Sequence, residues 1–558
     1  MTLPALQDIT VYPHGGETKG SWILGAYAPG VPHPAFSYGY NNLSVQRPPD
    51  PSEWPAAVDA SGEFYYVDSQ HPSATDDSNP QGYPNQPRLT IPEGVFPAGA
   101  VVIVIGGAGY PVYTVGGDSR WTLTMPGTAA NKCFFVGEGP QRPEIDKNVR
   151  ITGSSHFITY GFKTSSKFEV WGPGAAADIS SYITIRDWQF EATGTSLDPG
   201  PIAAQGYDAA NKSTYFTVFG CDFRAYGDDG PLASENDRHA FKPEQDFNHI
   251  WYLGNTGTDL SGDCIQVGSA GTPEANRCQY VFIARNIMFD TMENAVDIKR
   301  AQYVIISTNL MYTFHRDNTN AQDTYAAIVV HDDPDHIYII NNLIYDTGFG
   351  MEISGSTNTA IVGNIIYNTR TINEAGYNGD SAFGDTAAIQ YRGNTGTGYV
   401  VHNTCYNFSK GVQFAADLTV TCVNNIITGR NRADGHSMMW ANNGDADSGT
   451  YDYNTYYEPT HSVSFDRGIT TYTFAQWQAL GFEANGQNQD PRLVDAANND
   501  FNLLSDSPCR DSGVAINLYS EFLSTFSTLE TGGYSIRIDI DRNNNIRGLT
   551  RGALEYAA

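Results

Sequence analysis

The sequence predicts an all-β chain folded as a right-handed parallel β-helix, a solenoid in which short strands stack coil upon coil. The first observation is a repeated pattern of alternating β-branched and aromatic residues, then Asn, two apolar residues and an aromatic residue. YVFIARNIMFDT (280–291), YVIISTNLMYTF (303–314) and HIYIINNLIYDT (336–347) are three copies. The Asn recurs at 286, 309, 342, 364, 403 and 425, in steps of 23, 33, 22, 39 and 22 residues. This length, with short β runs and Asn or Gly turns, is typical of one β-helix coil.

The second observation is a set of hexapeptides that align without gaps, one after each Asn-bearing strand from 239 onward. They are HAFKPE (239–244), DCIQVG (263–268), NAVDIK (294–299), AAIVVH (326–331), FGMEIS (349–354), AAIQYR (387–392) and KGVQFA (410–415). Strand residues alternate between faces, and the third and fifth positions are apolar in every copy apart from the hydroxyl of Tyr391. These two columns are therefore predicted to point into the coil.

Two alternatives fit less well. A β-propeller blade needs about 40–50 residues, and a leucine-rich repeat needs regular Leu spacing. The right hand follows from the chirality of parallel crossovers. At each turn the repeated Asn is expected to take a left-handed φ and to hydrogen-bond the Asn of the next coil.

Four regions are predicted along the chain. An N-terminal module occupies 1–60, a cap with the first strands 61–142, and the β-helix core with a groove 143–430. A C-terminal appendage, 431–558, leaves the repeat and is expected to contain a short helix within 473–482.

Composition restricts the partners. The formal net charge is −29, from 32 Lys and Arg against 61 Asp and Glu, which argues against nucleic acid or an anionic membrane. No apolar run reaches 18 residues, so no membrane span is expected.

Seven cysteines without close pairing argue against a disulfide framework. The first residues lack a basic segment followed by an apolar one, so no signal peptide is visible. An extracellular or virion-associated protein, monomeric or a virion-type trimer, is expected.

The outward positions of the hexapeptides carry the polar residues. The second position is small in every copy and is expected to face outward as the floor of a shallow groove. The fourth position holds Lys242, Gln266, Asp297, Val329, Glu352, Gln390 and Gln413. The sixth holds Glu244, Gly268, Lys299, His331, Ser354, Arg392 and Ala415. Because rungs lie about 4.8 Å apart, Lys299 and His331 are predicted to lie side by side.

Two long insertions, 313–325 and 370–386, fall between an Asn strand and the next hexapeptide. They are predicted to wall the groove, because loops on a rigid scaffold commonly carry function. They contribute Arg316 and Tyr377. HDDPDH (331–336) offers carboxylates suited to calcium, but DDPD also has strong turn chemistry, so Asp332 is the candidate ligand there.

Two short stretches resemble known families. NAVDIK (294–299) resembles the Asp- and Lys-bearing strands of β-helical polysaccharide lyases of the pectate and alginate type. NDRHAF (236–241) resembles the NDRHGF stretch of mannuronan C5-epimerases, whose separate Asp-Pro-His-Glu motif this chain lacks. The resemblance implies a lyase that cleaves a uronic-acid polysaccharide by β-elimination.

For that reaction, Lys299 is assigned as the base and His331 as the acid or a second base, each drawing the other's pKa toward neutral. Arg392 and Lys242 are assigned to substrate carboxylates, and Arg392 is counted with Lys299 and His331 among the catalytic residues. Further substrate contacts are expected from Arg238, His239, Gln266, Arg316, Gln390 and Tyr377. Calcium, if used, is expected on Asp297, Glu352 and Asp332.

Three other functions remain open. Asp297 and Glu352, two rungs or about 9.6 Å apart, lie near the carboxylate separation of an inverting glycoside hydrolase. A C5-epimerase is the second. The third is a glycan-binding tailspike or adhesin without catalytic activity.

Overall fold

A computed structural model describes most of the chain from residue 64 onward. The described residues are 31, 64–113, 120–172, 176–192, 200–206, 208, 210–226, 238–314, 326–369, 386–392, 396–415, 418–430, 437–441, 449–516, 518, 522, 541, 547 and 550–554. These confirm the predicted all-β parallel β-helix, with three long sheets running along one stack of coils.

Sheet 1 has 14 described strands, all in parallel register with their neighbours. They are Phe64–Val67, Val101–Ile105, Cys133–Glu138, Ser155–Tyr160, Ser181–Arg186, Ser213–Phe219, Phe247–Leu253, Gln279–Ala284, Gln302–Ser307, Asp335–Ile340, Asn358–Val362, Gly396–Val401, Leu418–Val423 and Thr450–Asp452.

Sheet 2 has 15 described strands and carries the hexapeptides. They are Gly94–Val95, Arg120–Thr124, Asn148–Ile151, Phe168–Trp171, Ile202–Gln205, Phe241–Pro243, Ile265–Val267, Val296–Lys299, Ala326–His331, Phe349–Ser354, Ala387–Arg392, Lys410–Ala415, Met439–Ala441, Ser464–Arg467 and Thr470–Thr473. Only the last pair of strands in this described sheet is antiparallel.

Sheet 3 has 13 described strands and closes each coil. They are Glu144–Ile145, Lys163–Thr164, Gln189–Glu191, Asp222–Arg224, Thr256–Gly257, Ile287–Phe289, Leu310–Tyr312, Leu343–Thr347, Ile365–Thr369, Thr404–Phe408, Ile426–Arg430, Thr455–Tyr457 and Gln487–Asn488. A hairpin, Leu493–Asp495 with Asp500–Leu503, follows the stack.

The remaining regular elements are short helices. The predicted helix is confirmed as Phe474–Ala479, where Thr473 and Gln476 form a capping box. Three-residue 3-10 turns lie at Ala176–Asp178, Glu274–Asn276 and Ala496–Asn498. In the described part of the chain, no helix combines the length and the hydropathy needed to cross a bilayer.

The hexapeptide register is confirmed. Val296 pairs with Ile328 and Lys299 with His331 across neighbouring strands. The predicted inward columns are buried in all seven hexapeptides, and most of these side chains belong to one continuous interior core. Burial of this apolar column is the main force that holds the coils in register, since a one-residue slip would expose it.

The predicted groove floor is wrong. The small second-position residues face the interior, and Ala240, Cys264, Ala295, Ala327 and Ala388 are fully buried in the core. The chain bends as it enters sheet 2, so two consecutive residues point inward. A methyl added at Gly350 would lie 2.6 Å from Ile366 in sheet 3, so this corner accepts only small residues.

The repeated Asn residues form the predicted ladder. Each side-chain amide donates to the Oδ1 atom of the next ladder Asn at 2.8–3.1 Å. The ladder extends beyond the predicted positions to Asn255 and Asn454, and ends on the buried carboxylate of Glu483. The left-handed φ falls one residue earlier than predicted, as at Arg285, Thr308, Asn341 and Gly363.

The coils extend beyond both ends of the predicted core, 143–430. Parallel pairing begins with Phe64–Val67 and continues past residue 430 to Gln487–Asn488. The first part of the predicted appendage is therefore coiled, while the module at 1–60 lies outside the described residues except for Val31. All seven cysteines are buried and unpaired, which confirms that no disulfide framework supports the fold.

Candidate functional site

The centre of the candidate site is a carboxylate held between two cations. Asp297 and Lys299 are two residues apart in one strand of sheet 2, so their side chains leave the same face. Lys299 Nζ lies 2.8 Å from Asp297 Oδ2, and His331 Nε2 lies 3.0 Å from Asp297 Oδ1. The predicted neighbourhood of Lys299 and His331 is confirmed, and Asp297 bridges them.

The electrostatics of this triad differ from the prediction. Burial opposes the charge of Lys299, but the carboxylate of Asp297, helped by Asp263 and Glu293, raises its pKa above the usual range. The expectation that a neighbouring cation draws this pKa toward neutral is therefore wrong, because the intervening carboxylate outweighs His331. Lys299 is a fixed cation near neutral pH and a poor base.

The pKa of His331 is shifted in the same direction as that of Lys299. Burial lowers the pKa of His331, but hydrogen bonding and attraction to Asp297 outweigh burial, so the pKa is raised from 6.5. The two cations in turn overcome burial of Asp297 and lower the pKa of its carboxyl group. His331 is about one-third exposed, so it can exchange protons with a bound molecule.

A second ion pair lies two rungs away on the same face. Arg392 donates to Glu352 Oε1 at 2.9 Å; its side chain is 51% exposed, whereas that of Glu352 is 7% exposed. Burial raises the pKa of Glu352 despite the guanidinium of Arg392. Val329 separates the two carboxylates in the register, between Asp297 and Glu352.

A small buried apolar cluster lies between the two ion pairs. Val329 packs with Ala326, Phe349 and Ala387, which occupy the first position of their hexapeptides. This cluster was not predicted, although the same alignment contains it.

The other predicted contacts lie along the same sheet. Lys242 Nζ is 3.9 Å from Glu244, Gln390 donates to Gln413 at 2.8 Å, and Gln266 is buried beside the strand of Asp297. The column from Lys242 to Gln390 crosses six strands, which corresponds to about 24 Å at about 4.8 Å per rung. That length fits several sugar units.

Two predicted residues are buried, and two others lie outside the described residues. Arg238 and His239 are each 1% exposed and lie beneath the surface. Arg316 and Tyr377 fall outside the described residues. The parts that these four residues take in binding stay predictions.

Each predicted calcium ligand contacts a basic side chain. Asp297 pairs with Lys299 and Glu352 with Arg392, and the carboxylate of Asp332 lies 3.5 Å from His331. Calcium binding by these three residues stays a prediction. Asp332 and Asp333 take left-handed φ values near 60°, so HDDPDH forms the turn that its DDPD chemistry favours.

One group of possible metal ligands converges in the described part of the chain. His239, Asp263 and Glu293 each place a ligand atom within 4.8 Å of the others. His239 was predicted to bind substrate, while Asp263 and Glu293 were missed. The hexapeptide alignment could have shown that two of these residues are neighbours, because His239 and Asp263 occupy the same first position on successive coils.

Comparisons with known proteins show distant likenesses only. Neither a family model nor a curated protein matches this chain. A glycoside hydrolase is 11% identical with a TM-score of 0.34, over 45% of this chain and 49% of that one, so this chain spans about half its length. The GH136 lacto-N-biosidase of Eubacterium ramulus is 12% identical with a TM-score of 0.39, over 74% and 69%. The PL6 family alginate lyase AlyGC is 12% identical with a TM-score of 0.38, over 68% and 53%.

Proposed function

We propose that the protein is a polysaccharide lyase that cleaves a uronic-acid polymer of the alginate or pectate type by β-elimination. The observation that carries the proposal is the triad of Lys299, Asp297 and His331 on the face of sheet 2. It places a fixed cation beside a histidine whose pKa is raised by the carboxylate of Asp297. A chain of net charge −29 needs such local cations to hold a polyanion.

The reaction assigns a different part to each residue. His331 in its neutral form takes the proton from C5, the electrons of that bond form the C4–C5 double bond, and the C4–O bond breaks. The leaving oxygen takes up a proton, which the imidazolium of His331 can return. Lys299 neutralises the carboxylate next to C5 and makes the C5 proton more acidic, whereas Arg392, three strands away in the register, binds a carboxylate of another sugar unit. Lys299 therefore acts as a charge stabiliser and not as the predicted base.

The test is absorbance near 235 nm, because only elimination produces an unsaturated uronate. Alginate, pectate, ulvan and glycosaminoglycans form the panel, with calcium and with EDTA. A rise on one polymer supports the proposal, and His331→Gln is expected to lower that rate about 100-fold or more. His461→Gln is the matched control, because His461 is similarly exposed at 38% but belongs to a distant coil. Equal loss in both variants would contradict the assigned base.

The pH dependence tests the same residue. The neutral imidazole is the active base, so the rate is expected to rise with pH through the pKa of His331, which is raised above 6.5. Asp297→Asn removes the attraction that raises this pKa, so the acidic limb should move to lower pH. A limb that does not move in this variant would show that another group titrates.

A glycoside hydrolase is the second candidate, and one observation favours it. The environments of Asp297 and Glu352 push their pKa values apart, lowering the first and raising the second. A carboxylate base and a protonated acid at about two rungs' separation is the arrangement of an inverting hydrolase. New reducing ends without absorbance at 235 nm, abolished by Glu352→Gln, would support this candidate over the lyase. Neither signal on any polymer would favour glycan binding alone.

A further inference from the structure

We propose that His239, Asp263 and Glu293 bind a divalent transition-metal ion beneath the face of sheet 2. The three side chains come from successive coils, and their ligand atoms converge within 4.8 Å. His239 and Asp263 are 1% and 0% exposed. None of these residues belongs to the triad or to the Arg392–Glu352 pair.

The first argument is the orientation of Asp263. Its Oδ1 atom accepts two hydrogen bonds from Asn294, one from the backbone N–H and one from the side-chain amide, both at 3.0 Å. These bonds fix the carboxylate and direct Oδ2 at the ring of His239. Oδ2 is buried and accepts no hydrogen bond in the described structure.

The second argument is that His239 also has a ring nitrogen without a partner. The backbone N–H of Asp263 donates to His239 Nδ1 at 3.0 Å, which occupies the single lone pair of that nitrogen. The other ring nitrogen, Nε2, is buried and has no hydrogen-bond partner among the described residues. Buried polar atoms such as His239 Nε2 and Asp263 Oδ2 are costly unless a bound group satisfies them.

The packing around His239 limits how the pair can relax. A methyl group added at Gly262 would lie 2.7 Å from His239 Nδ1, so the ring is packed directly against this backbone. The imidazole cannot turn away from Asp263 without moving that backbone. Two cations can satisfy the carboxylate of Asp263: a proton on His239 or a metal ion shared by all three residues.

The donor set selects the class of metal. One imidazole and two carboxylates suit Mn²⁺, Fe²⁺ or Zn²⁺, whereas calcium prefers oxygen ligands alone. The site differs in residues and in metal from the calcium site predicted from sequence.

The proposed metal site lies close to Lys299 of the triad. Asp263 and Glu293 act with Asp297 on the ammonium of Lys299 and favour its charged form. An ion here would therefore lie close to the triad without taking part in its contacts.

The experiment is metal binding to the full chain after treatment with EDTA and dialysis. Calorimetry with Mn²⁺ and Zn²⁺ is expected to give one site, and the melting temperature is expected to rise by several degrees at a 100-fold excess over Kd. Ca²⁺ should bind at least tenfold more weakly. Electron spin-echo spectroscopy of bound Mn²⁺ should show coupling to an imidazole nitrogen. A wild-type chain that binds neither Mn²⁺ nor Zn²⁺ would overturn the proposal.

Three variants separate this site from adventitious binding. Glu293→Gln and His239→Gln should each weaken binding at least tenfold, and His239→Gln should remove the nitrogen coupling. Asp332→Asn is the control, since it removes a nearby exposed carboxylate and should leave binding unchanged. Because Glu293 is only partly buried, Glu293→Gln should melt in EDTA within a few degrees of wild type, which keeps the test valid if His239→Gln fails to fold. Binding that survives Glu293→Gln would show that the ion is held elsewhere, and that the cation of His239 and Asp263 is a proton.

Discussion

The Asn ladder and the face of sheet 2 are both columns of polar residues along the same coils, yet they are built in opposite ways. In the ladder, every rung from Asn255 to Asn454 carries the same residue, and each amide finds its acceptor one rung away. On the face, the residue changes at every rung from Lys242 to Gln390. The uniform column satisfies its own hydrogen bonds and stabilises the fold, whereas the varied column is the surface on which we propose that the substrate binds.

The difference also appears in how charge is compensated. The ladder is neutral until its last rung, where Glu483 accepts from Asn454 and from the hydroxyl of Tyr456. The face compensates Asp297 with two unlike cations on adjacent rungs. Its charges are balanced in the folded protein but remain partly exposed, so a polyanion can compete for them.

The largest expected effect comes from breaking the ladder in its middle. Asn342→Ala removes the acceptor of the Asn309 backbone N–H and side-chain amide, at 2.9 and 3.0 Å. Two buried donors without partners cost roughly 1–3 kcal/mol each, so the free energy of unfolding should fall by about 4 kcal/mol. Urea unfolding measures this loss of unfolding free energy. Activity per folded molecule should not change.

Asn407→Gly is the matched control for the ladder, because Asn407 has a left-handed φ of 53° at which Ala would add backbone strain. This variant removes one half-buried amide bond to Asn368 and should cost less than about 1 kcal/mol. Similar losses in the two variants would contradict the view that the ladder, and not any Asn pair, stabilises the stack.

The second-largest effect on stability is expected at Glu483, where the ladder ends. Burial raises the pKa of Glu483 to about 7, so the folded chain keeps a proton that the unfolded chain loses near 4.5. Between these values the unfolded state binds fewer protons, and this group therefore lowers stability as pH rises from about 4.5 to 7. The total is roughly 3 kcal/mol at about 1.4 kcal/mol per pKa unit.

Glu483→Gln isolates that contribution. Gln keeps a carbonyl acceptor for Asn454 but has no charge to bury. The unfolding free energy of the variant relative to wild type should increase from pH 4.5 to pH 8 by about the same 3 kcal/mol. A difference that is constant over this range would show that Glu483 does not titrate there.

The fold was largely predictable because its determinants are local and repeated. The columns at Ile265, Val296 and Ile328 fixed which hexapeptide positions face inward, and burial confirms them. The prediction that the small second-position residues face outward was wrong. Inward and outward positions alternate within a strand but not at the corner before it, where Ala295 and Val296 both face the interior. A corner is defined by neighbouring sheets, which the sequence of one strand does not show.

The site was predictable in position but not in chemistry. Register placed Lys299 beside His331, as the pairing confirms. The pKa of Lys299 depends on Asp297, Asp263 and Glu293 together, and two of these come from other hexapeptides or from a loop. Distances between side chains from different coils decide such effects, and spacing along the chain does not contain them.

The third-largest effect is expected at Asp297, at the centre of the face of sheet 2. Asp297→Asn should lower the rate on the substrate polymer about 100-fold, which corresponds to about 2.7 kcal/mol, because Lys299 and His331 lose the carboxylate that positions them. The urea midpoint should change much less than in Asn342→Ala. A rate close to wild type would exclude the triad from catalysis.

The smallest effect is expected at the edge of the face, where Arg392 meets solvent. Its guanidinium is half exposed, so Arg392→Gln should raise KM several-fold, leave kcat within about twofold, and barely change stability. Kinetics at low and high salt measure this, and the variant should depend less steeply on salt because one cation for the polymer is gone. Arg492→Gln is the control, since Arg492 is similarly exposed at 48% but pairs with Asp506 after the last coil. If Arg392→Gln instead lowered kcat as strongly as Asp297→Asn, the varied column would act as one catalytic unit, and the division between a reacting centre and a binding edge would have to be abandoned.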